Sequence, residues 1–169
     1  MRSALLLVLL AAPLSAQTVT GGIGVAGLGR TEMMLVGGTA TIPAGNWTVG
    51  AHGFHAEEIV LSDVWKDRQI GGVLLAGRSG RHGIGEWAVL AGPSLVHALR
   101  QPNVSPTQPS TARLEPGVMG RARASVVPFR SVPVGLSLDL GLNASTGGLT
   151  FTALPGLTAL PGLTARLGR

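Results

Sequence analysis

The sequence predicts an all-β fold, an antiparallel up-and-down β-barrel of about eight strands that follows an N-terminal signal peptide. Three observations predict it: the N-terminal segment, the glycine content, and repeated alternation of apolar and polar residues. The alternation is clearest over residues 132–143 (VPVGLSLDLGLN), where every even position, and no odd one, is a large apolar residue. A period of two is typical of a β-strand, whereas on a helix these residues would form no coherent apolar face.

The N-terminal residues have the layout of a secretory signal peptide. Arg2 provides the positive region, residues 4–12 form the apolar core, and small residues precede Gln17. The apolar core is too short to span a bilayer as a helix, and no later run of about 18 apolar residues follows. We therefore divide the chain into a signal peptide, residues 1–16, and one barrel domain, residues 17–169, and expect an exported protein.

Composition excludes several classes of site. The chain of 169 residues has no cysteine, so disulfides and thiolate metal sites are excluded. Its 26 glycines suit sharply twisted strands and turns better than helices. Without residues 1–16, which contain Arg2, the charge is 12 basic minus 8 acidic residues, or +4. The basic residues are dispersed and not interleaved with aromatic ones, so we expect no nucleic-acid partner.

Eight segments share the alternating pattern or an equivalent apolar face. Strands are predicted at about 18–28, 32–42, 46–55, 69–79, 84–100, 114–127, 132–143 and from 146 onward. Residues 56–68 are compatible with a strand, a helix or a loop. Residues 101–113 contain three prolines and no apolar pattern, which predicts a surface loop. Pro93 has no N–H to donate, so we expect it to interrupt the hydrogen-bond ladder of its strand.

Two further patterns have a structural explanation. The hexapeptide ALPGLT occurs at residues 153–158 and again at 159–164, and two copies are too few for a solenoid. We interpret the duplication as one that lengthens or displaces the last strand. Residues 21–29 (GGIGVAGLG) contain the letters GxGxxG but lack a preceding strand and a following helix, so they predict a bent strand and no nucleotide site.

The connections between the predicted strands differ in length. Those after strands two, four and six are short, whereas residues 56–68 and 101–113 are long, as in outer-membrane barrels with short periplasmic turns and longer outer loops. Twelve residues at about 3.3 Å each, tilted near 45°, cover about 28 Å, close to the bilayer core. In its signal peptide, alternating strands and unequal connections, the chain resembles the small bacterial outer-membrane β-barrels of the eight-stranded OmpA and OmpX type.

This resemblance implies a cell-envelope protein in the outer membrane, in contact with its lipid, with a structural or interaction role. The alternative is a soluble, periplasmic or secreted barrel similar to lipocalins, whose apolar faces point inward and bind a small apolar ligand. Residues 56–68 and 101–113 are candidate surfaces for protein or ligand contacts, because loops of such barrels often carry them. The sequence predicts no oligomeric state.

In an outer-membrane barrel the polar strand faces line the lumen. The strand at 114–127 would then direct Glu115, Arg121 and Arg123 inward, and the next strand would direct Asp139 inward. A turn near residues 129–131 makes Arg121 and Asp139 near partners, so that each ion compensates the other. We expect this predicted lumen cluster to fill the interior. The alternative function for it is an ion-conducting constriction.

The sequence predicts no catalytic, cofactor-binding or metal-binding residues. His52 and His55 lie on opposite faces of their strand, and so do Ser94 and His97. Neither pair can therefore supply adjacent metal ligands or a serine and a histidine that converge with an acid. We expect a protein without enzymatic activity and without a cofactor.

Overall fold

Eight antiparallel strands form one closed barrel in the computed structural model. The structure describes residues 18–28, 31–58, 65–102, 110–128 and 134–159. The strands are β1 (Thr18–Leu28), β2 (Thr31–Ala44), β3 (Trp47–Glu58), β4 (Trp65–His82), β5 (Gly85–Pro102), β6 (Thr111–Val126), β7 (Val134–Ser145) and β8 (Gly148–Ala159). Each strand pairs with its neighbours in the chain, and β1 pairs with β8 to close the sheet. This confirms the predicted up-and-down barrel.

The strands extend beyond most of their predicted ends. β3 continues through Glu58 and β4 begins at Trp65, so both ends of the ambiguous segment 56–68 are strand. Residues 59–64 lie outside the described residues, and so do residues 1–16, whose assignment as a signal peptide stays a prediction. The first copy of the ALPGLT hexapeptide belongs to β8, whereas residues 160–164 of the second copy lie outside the described residues.

Side chains alternate between the interior and the exterior of the barrel. β7 shows this most clearly, with exposed and buried residues alternating along most of its length. Leu136 is 70% exposed, whereas its neighbour Ser137 and the next inward residue, Asp139, are buried. The large apolar residues of β7 therefore point away from the barrel, because the pleat sends successive side chains to opposite faces.

The interior is filled by side chains of two kinds. Its apolar cluster is formed by Ala26, Met33, Leu35, Phe54, Ala56, Val73, Leu75, Ala88, Leu90, Val96, Met119 and Leu154. Its buried polar residues include Thr20, Thr39, His52, Gln69, Ser94, Arg121, Arg123, Ser125, Asp139, Asn143, Thr152 and Thr158. The lumen is therefore lined by polar side chains as expected, together with an apolar part that comes largely from β2 to β5.

Glycine and proline adapt the strands to a narrow barrel. Gly45 and Gly83 have positive φ in the tight turns after β2 and β4, a conformation that glycine adopts without strain. Gly92 lies on the inner face of β5, where a Cβ would stand only 1.8 Å from the carbonyl oxygen of Leu74. Beside it, the pairing of β4 with β5 skips the position of Pro93, which confirms the predicted interruption of the ladder.

The barrel has two distinct ends. We call the end with the turns at 45–46 and 83–84 the turn end; Thr18 and Ala159 lie there as well. The opposite end, which we call the loop end, has the longer connections between β3 and β4 and between β5 and β6. In the part of the chain that the structure describes, no helix is long and apolar enough to cross a membrane.

Candidate functional site

Arg121 and Asp139 form an ion pair inside the barrel. Arg121 Nε donates a hydrogen bond to Asp139 Oδ1 at 3.0 Å, and Arg121 Nη2 lies 2.9 Å from the same oxygen. Both side chains are almost fully buried, with 2% and 4% exposure. The strand register places Arg123, and not Arg121, directly opposite Asp139, so Arg121 reaches its partner diagonally. The opposite charges compensate each other, which a single buried ion could not achieve.

The structure separates the other two residues of the predicted lumen cluster. Arg123 is 7% exposed and faces the interior beside Asp139. Its Nε and Nη1 atoms are buried without a hydrogen-bond partner among the described residues. Glu115 lies towards the loop end, where Ser145 Oγ donates to its Oε2 at 3.3 Å and where its carboxylate packs against Gly147. Arg121, Arg123 and Asp139 therefore share one part of the interior, and Glu115 belongs to the rim.

Two further polar contacts inside the barrel were not predicted from the sequence. Thr39 Oγ1 is 2.9 Å from His52 Nδ1, and the His52 ring stacks against Phe54 with 5.7 Å between ring centroids. Ser94 Oγ donates to Asn143 Oδ1 at 2.7 Å, across strands that are distant in the chain. The alternation identifies each of these residues as inward-facing, but only the closed barrel shows which of them meet.

An ion network surrounds Glu57 at the loop end. The Glu57 carboxylate forms ion pairs with Lys66, with Arg68 at 3.4 Å and with His55 at 3.6 Å. The pKa of Glu57 is lowered from its usual 4.5 to about 2. The largest cause is the hydrogen bond from Lys66, and the hydrogen bond from Arg68 lowers the pKa further. The carboxylate is therefore ionised at every physiological pH, and the network joins the ends of β3 and β4.

A cavity of about 570 Å³ opens at the loop end. Its charged lining residues are Asp67, Arg68, Arg100, Arg113 and Glu115, and Arg100 Nε lies 3.8 Å from Asp67 Oδ1. They belong to the ends of β4, β5 and β6, next to the two long connections. The part of the chain that the sequence singled out for contacts thus borders a concave and highly charged surface.

The exterior of the barrel is apolar around its whole circumference. Every strand contributes at least one large apolar side chain that is about half exposed or more: Ile23, Val36, Trp47, Leu74, Val89, Val118, Leu136 and Leu157. On β4 this apolar band ends at Arg68 and Arg78. That stretch, at about 3.3 Å per residue and tilted by about 45°, covers about 23 Å, close to the apolar band of outer-membrane barrels. Glu57, paired with Arg68, lies just beyond the band.

Two tryptophans mark the border of the apolar band at the turn end. The Arg78 guanidinium lies over the Trp47 ring, 4.8 Å from its centroid, and Arg78 Nη1 donates to the carbonyl oxygen of Asn46. The Trp87 indole packs onto Gly80, where a Cβ would come within 2.7 Å of Trp87 Nε1. Amphipathic aromatic side chains of this kind are enriched where an apolar membrane interior meets water.

No model of a protein family matches the sequence, and comparison with curated protein sequences finds no relative. Solved structures do match. The chain is similar to Ail, the attachment invasion locus protein of Yersinia pestis (TM-score 0.59, 10% identity, 85% of this chain and 95% of that one), and to neisserial surface protein A (0.62, 10%, 85% and 95%). It is also similar to the outer membrane protein Ail in a phospholipid bilayer nanodisc (0.53, 12%, 86% and 98%).

The chain has the fold of a small outer-membrane β-barrel. The similarity spans nearly the whole length of the matched structures, and it agrees with the closed eight-stranded topology. The soluble alternative required the apolar faces to point inward, whereas Leu136, Leu138 and Leu140 are 70%, 46% and 39% exposed. A barrel with this exterior is suited to lipid, because in water this large apolar area would be exposed to solvent.

The residues considered for chemistry do not converge. His52 is buried in the lumen and His55 faces outward, and Ser94 and His97 likewise lie on opposite faces. Among the described residues, no group of three His, Asp or Glu side chains is arranged to hold a metal ion.

Proposed function

We propose that the protein is a non-enzymatic barrel of the outer membrane that presents its loop end to partners. The observation that carries the membrane location is the apolar band, which all eight strands form and which charged residues border at both ends of β4. Lipid-facing strands of outer-membrane barrels show the same alternation, with apolar residues outward and polar residues inward.

The filled lumen supports an interaction role over a transport role. Met33, Leu35 and Met119 are fully buried, and the buried Arg121–Asp139 ion pair occupies a further part of the interior. An eight-stranded barrel has just enough room for its own side chains. We therefore assign the Arg121–Asp139 pair a structural role in filling the lumen, rather than a role as an ion-conducting constriction.

The loop end is the surface that we assign to partners. Its cavity combines the cations Arg68, Arg100 and Arg113 with the anions Asp67 and Glu115, so it suits a charged partner better than an apolar one. A structure similar to this chain contains Ail in complex with the heparin analogue sucrose octasulfate (TM-score 0.57, 11% identity). That complex supports ligand binding as a capacity of this fold, and the charged cavity is the corresponding candidate here.

Cysteine labelling in membranes tests the location. Leu138→Cys places a thiol on the apolar exterior, and the matched control Ser137→Cys places one on the inner face of the same strand. We expect a membrane-confined maleimide to label the first variant and not the second, in the membrane fraction of expressing cells. The folded barrel should also shift in mobility on an SDS gel when it is boiled. Soluble protein with an unlabelled Leu138→Cys thiol would contradict the proposal.

A further inference from the structure

Towards the turn end, Arg123 is a cation that forms no ion pair with the described residues of the barrel. Arg123 is 7% exposed, yet its Nε and Nη1 atoms have no hydrogen-bond partner among the described residues. Its nearest carboxylate in the strand register, Asp139, is engaged by Arg121 through two nitrogens. Burial of guanidinium N–H groups without acceptors destabilises the folded state, because these groups lose their hydrogen bonds to water and form none within the protein.

Arg123 lines a cavity of about 200 Å³ that opens at this end. Arg81, Thr18 and Ser79 also line it, and they provide a second guanidinium and two hydroxyl groups. Glu86 is the acid of the cavity and lies 3.8 Å from Arg81 Nε. Two residues nearer the turn end on the same face of β6, Ser125 Oγ is buried without a partner in the described part of the chain.

Among the described residues near this cavity, the charges sum to an excess of one cation. The cations are Arg81, Arg121 and Arg123, and the anions are Glu86 and Asp139. Asp139 and Glu86 both lie near Arg123, but Asp139 is bound by Arg121 and Glu86 also faces Arg81, so two carboxylates are shared among three guanidinium groups. An oxyanion is the group that satisfies Arg123 best, because planar guanidinium N–H groups form short, charge-assisted hydrogen bonds to phosphate or carboxylate oxygens.

We propose that this cavity is a phosphate-binding site, with Arg123 as its buried anchor and Arg81 as its second cation at the mouth. Its volume suits one phosphate group and is too small for an oligosaccharide. Trp87 and Gly80, which lie on the lipid-facing side of β5 and β4, also border the cavity. The phosphate can therefore come from solution or from the headgroup of a phospholipid. This site exists only in the closed barrel, and it lies at the opposite end from the partner surface proposed for the loop end.

Titration of the refolded barrel with inorganic phosphate in a maltoside detergent tests the site, with the ³¹P line width of phosphate as the readout. We expect saturable broadening by the unaltered protein. Arg123→Gln should weaken binding about tenfold or more, because it removes the charge and the unpaired N–H groups. The matched control Arg78→Gln removes a cation from the outer face at the same end and should leave the affinity within about twofold.

Arg81→Gln is the second test variant, because its side chain is 36% exposed and its replacement leaves the interior intact. We expect it to weaken phosphate binding about threefold or more. Competition by short-chain phosphatidylglycerol would identify a lipid headgroup as the ligand, and phosphate binding without such competition would identify the free anion. Lack of saturable broadening, or equal affinities of the unaltered protein, Arg123→Gln and Arg81→Gln, would overturn the proposal. The heat-dependent gel shift verifies that each variant is folded.

Discussion

The two sides of the barrel interior solve the same packing problem with different chemistry. β6 and β7 supply Arg121, Arg123, Asp139 and other polar side chains, whereas β2, β4 and β5 together bury more apolar side chains, such as Met33 and Leu35, than polar ones. The exterior shows no such division, since apolar residues cover all eight strands. Lipid requires apolar side chains on the outer face of every strand. The interior, in contrast, can be filled either by apolar side chains or by polar side chains that pair with one another.

The stability of the polar side depends on charge compensation, because Arg121 and Asp139 are each buried against the other. The Arg121–Asp139 pair can be replaced as a unit at little cost, yet loss of one member leaves an uncompensated charge in a low-dielectric interior. The apolar side depends on volume, and it loses stability in proportion to the cavity that a truncation leaves. Variants on each side therefore distinguish the two ways of filling the lumen.

Asp139→Ala should have the largest effect. It leaves Arg121 buried and unpaired beside Arg123, so we expect the free energy of unfolding to fall by about 3–5 kcal/mol. Urea unfolding of the barrel in lipid vesicles, followed by gel mobility, measures the change. The double variant Arg121→Met and Asp139→Leu removes both ions and should recover most of that loss. A double variant as unstable as Asp139→Ala would show that shape, and not charge compensation, is decisive on this side.

Leu35→Ala should have the next largest effect, on the apolar side. Leu35 is fully buried, and its truncation should lower the free energy of unfolding by about 3 kcal/mol through lost burial and the cavity left behind. The same unfolding assay applies. The matched control Leu35→Met preserves the volume and should cost less than about 1.5 kcal/mol. If both substitutions cost equally little, the interior near β2 would be loosely packed.

Glu57→Gln should have the smallest effect, because its ion pairs with Lys66 and Arg68 lie at the exposed loop end. We expect a loss of at most about 1 kcal/mol at pH 7, reduced further by salt. The pKa of Glu57 is lowered from 4.5 to about 2 in the folded protein, so its contribution is present above pH 4.5 and disappears as the pH falls towards 2. Unfolding curves of both proteins at pH 7 and near pH 2 should therefore converge at the lower pH. A difference that persists there would assign Glu57 a role other than ion pairing.

The sequence predicted the barrel because the alternation of apolar and polar residues can be recognised within each strand on its own. β7 shows it without interruption, so the outward direction of Leu138 and the inward direction of Asp139 follow from the pleat alone. The ion pair was also predicted, although the assumed register placed Arg121 directly opposite Asp139 and the structure shifts the strands by two positions. In the structure the long guanidinium side chain of Arg121 reaches Asp139 as a diagonal neighbour.

The candidate sites were less accessible to sequence reasoning. Glu115 shares the face of Arg121 but lies at the rim, because six residues of a strand span most of the distance from the barrel centre to its end. The turn-end cavity joins Thr18 of β1 to Arg81 and Arg123, and no local pattern connects these residues. The sequence indicated which face of a strand a charged residue occupies, but it did not indicate how deep in the barrel the residue lies or which side chains it contacts.

The sequence by itself determined which side of each strand is apolar and, through its turns and glycines, that the strands follow one another around a barrel. Only the tertiary structure decided which inward side chains meet across the lumen, that Glu115 lies at the rim, and that Arg123 has unused donors among the described residues. The physical reason is that alternation is a local property with a period of two residues, whereas contacts across the lumen depend on barrel closure and on the register of all eight strands together.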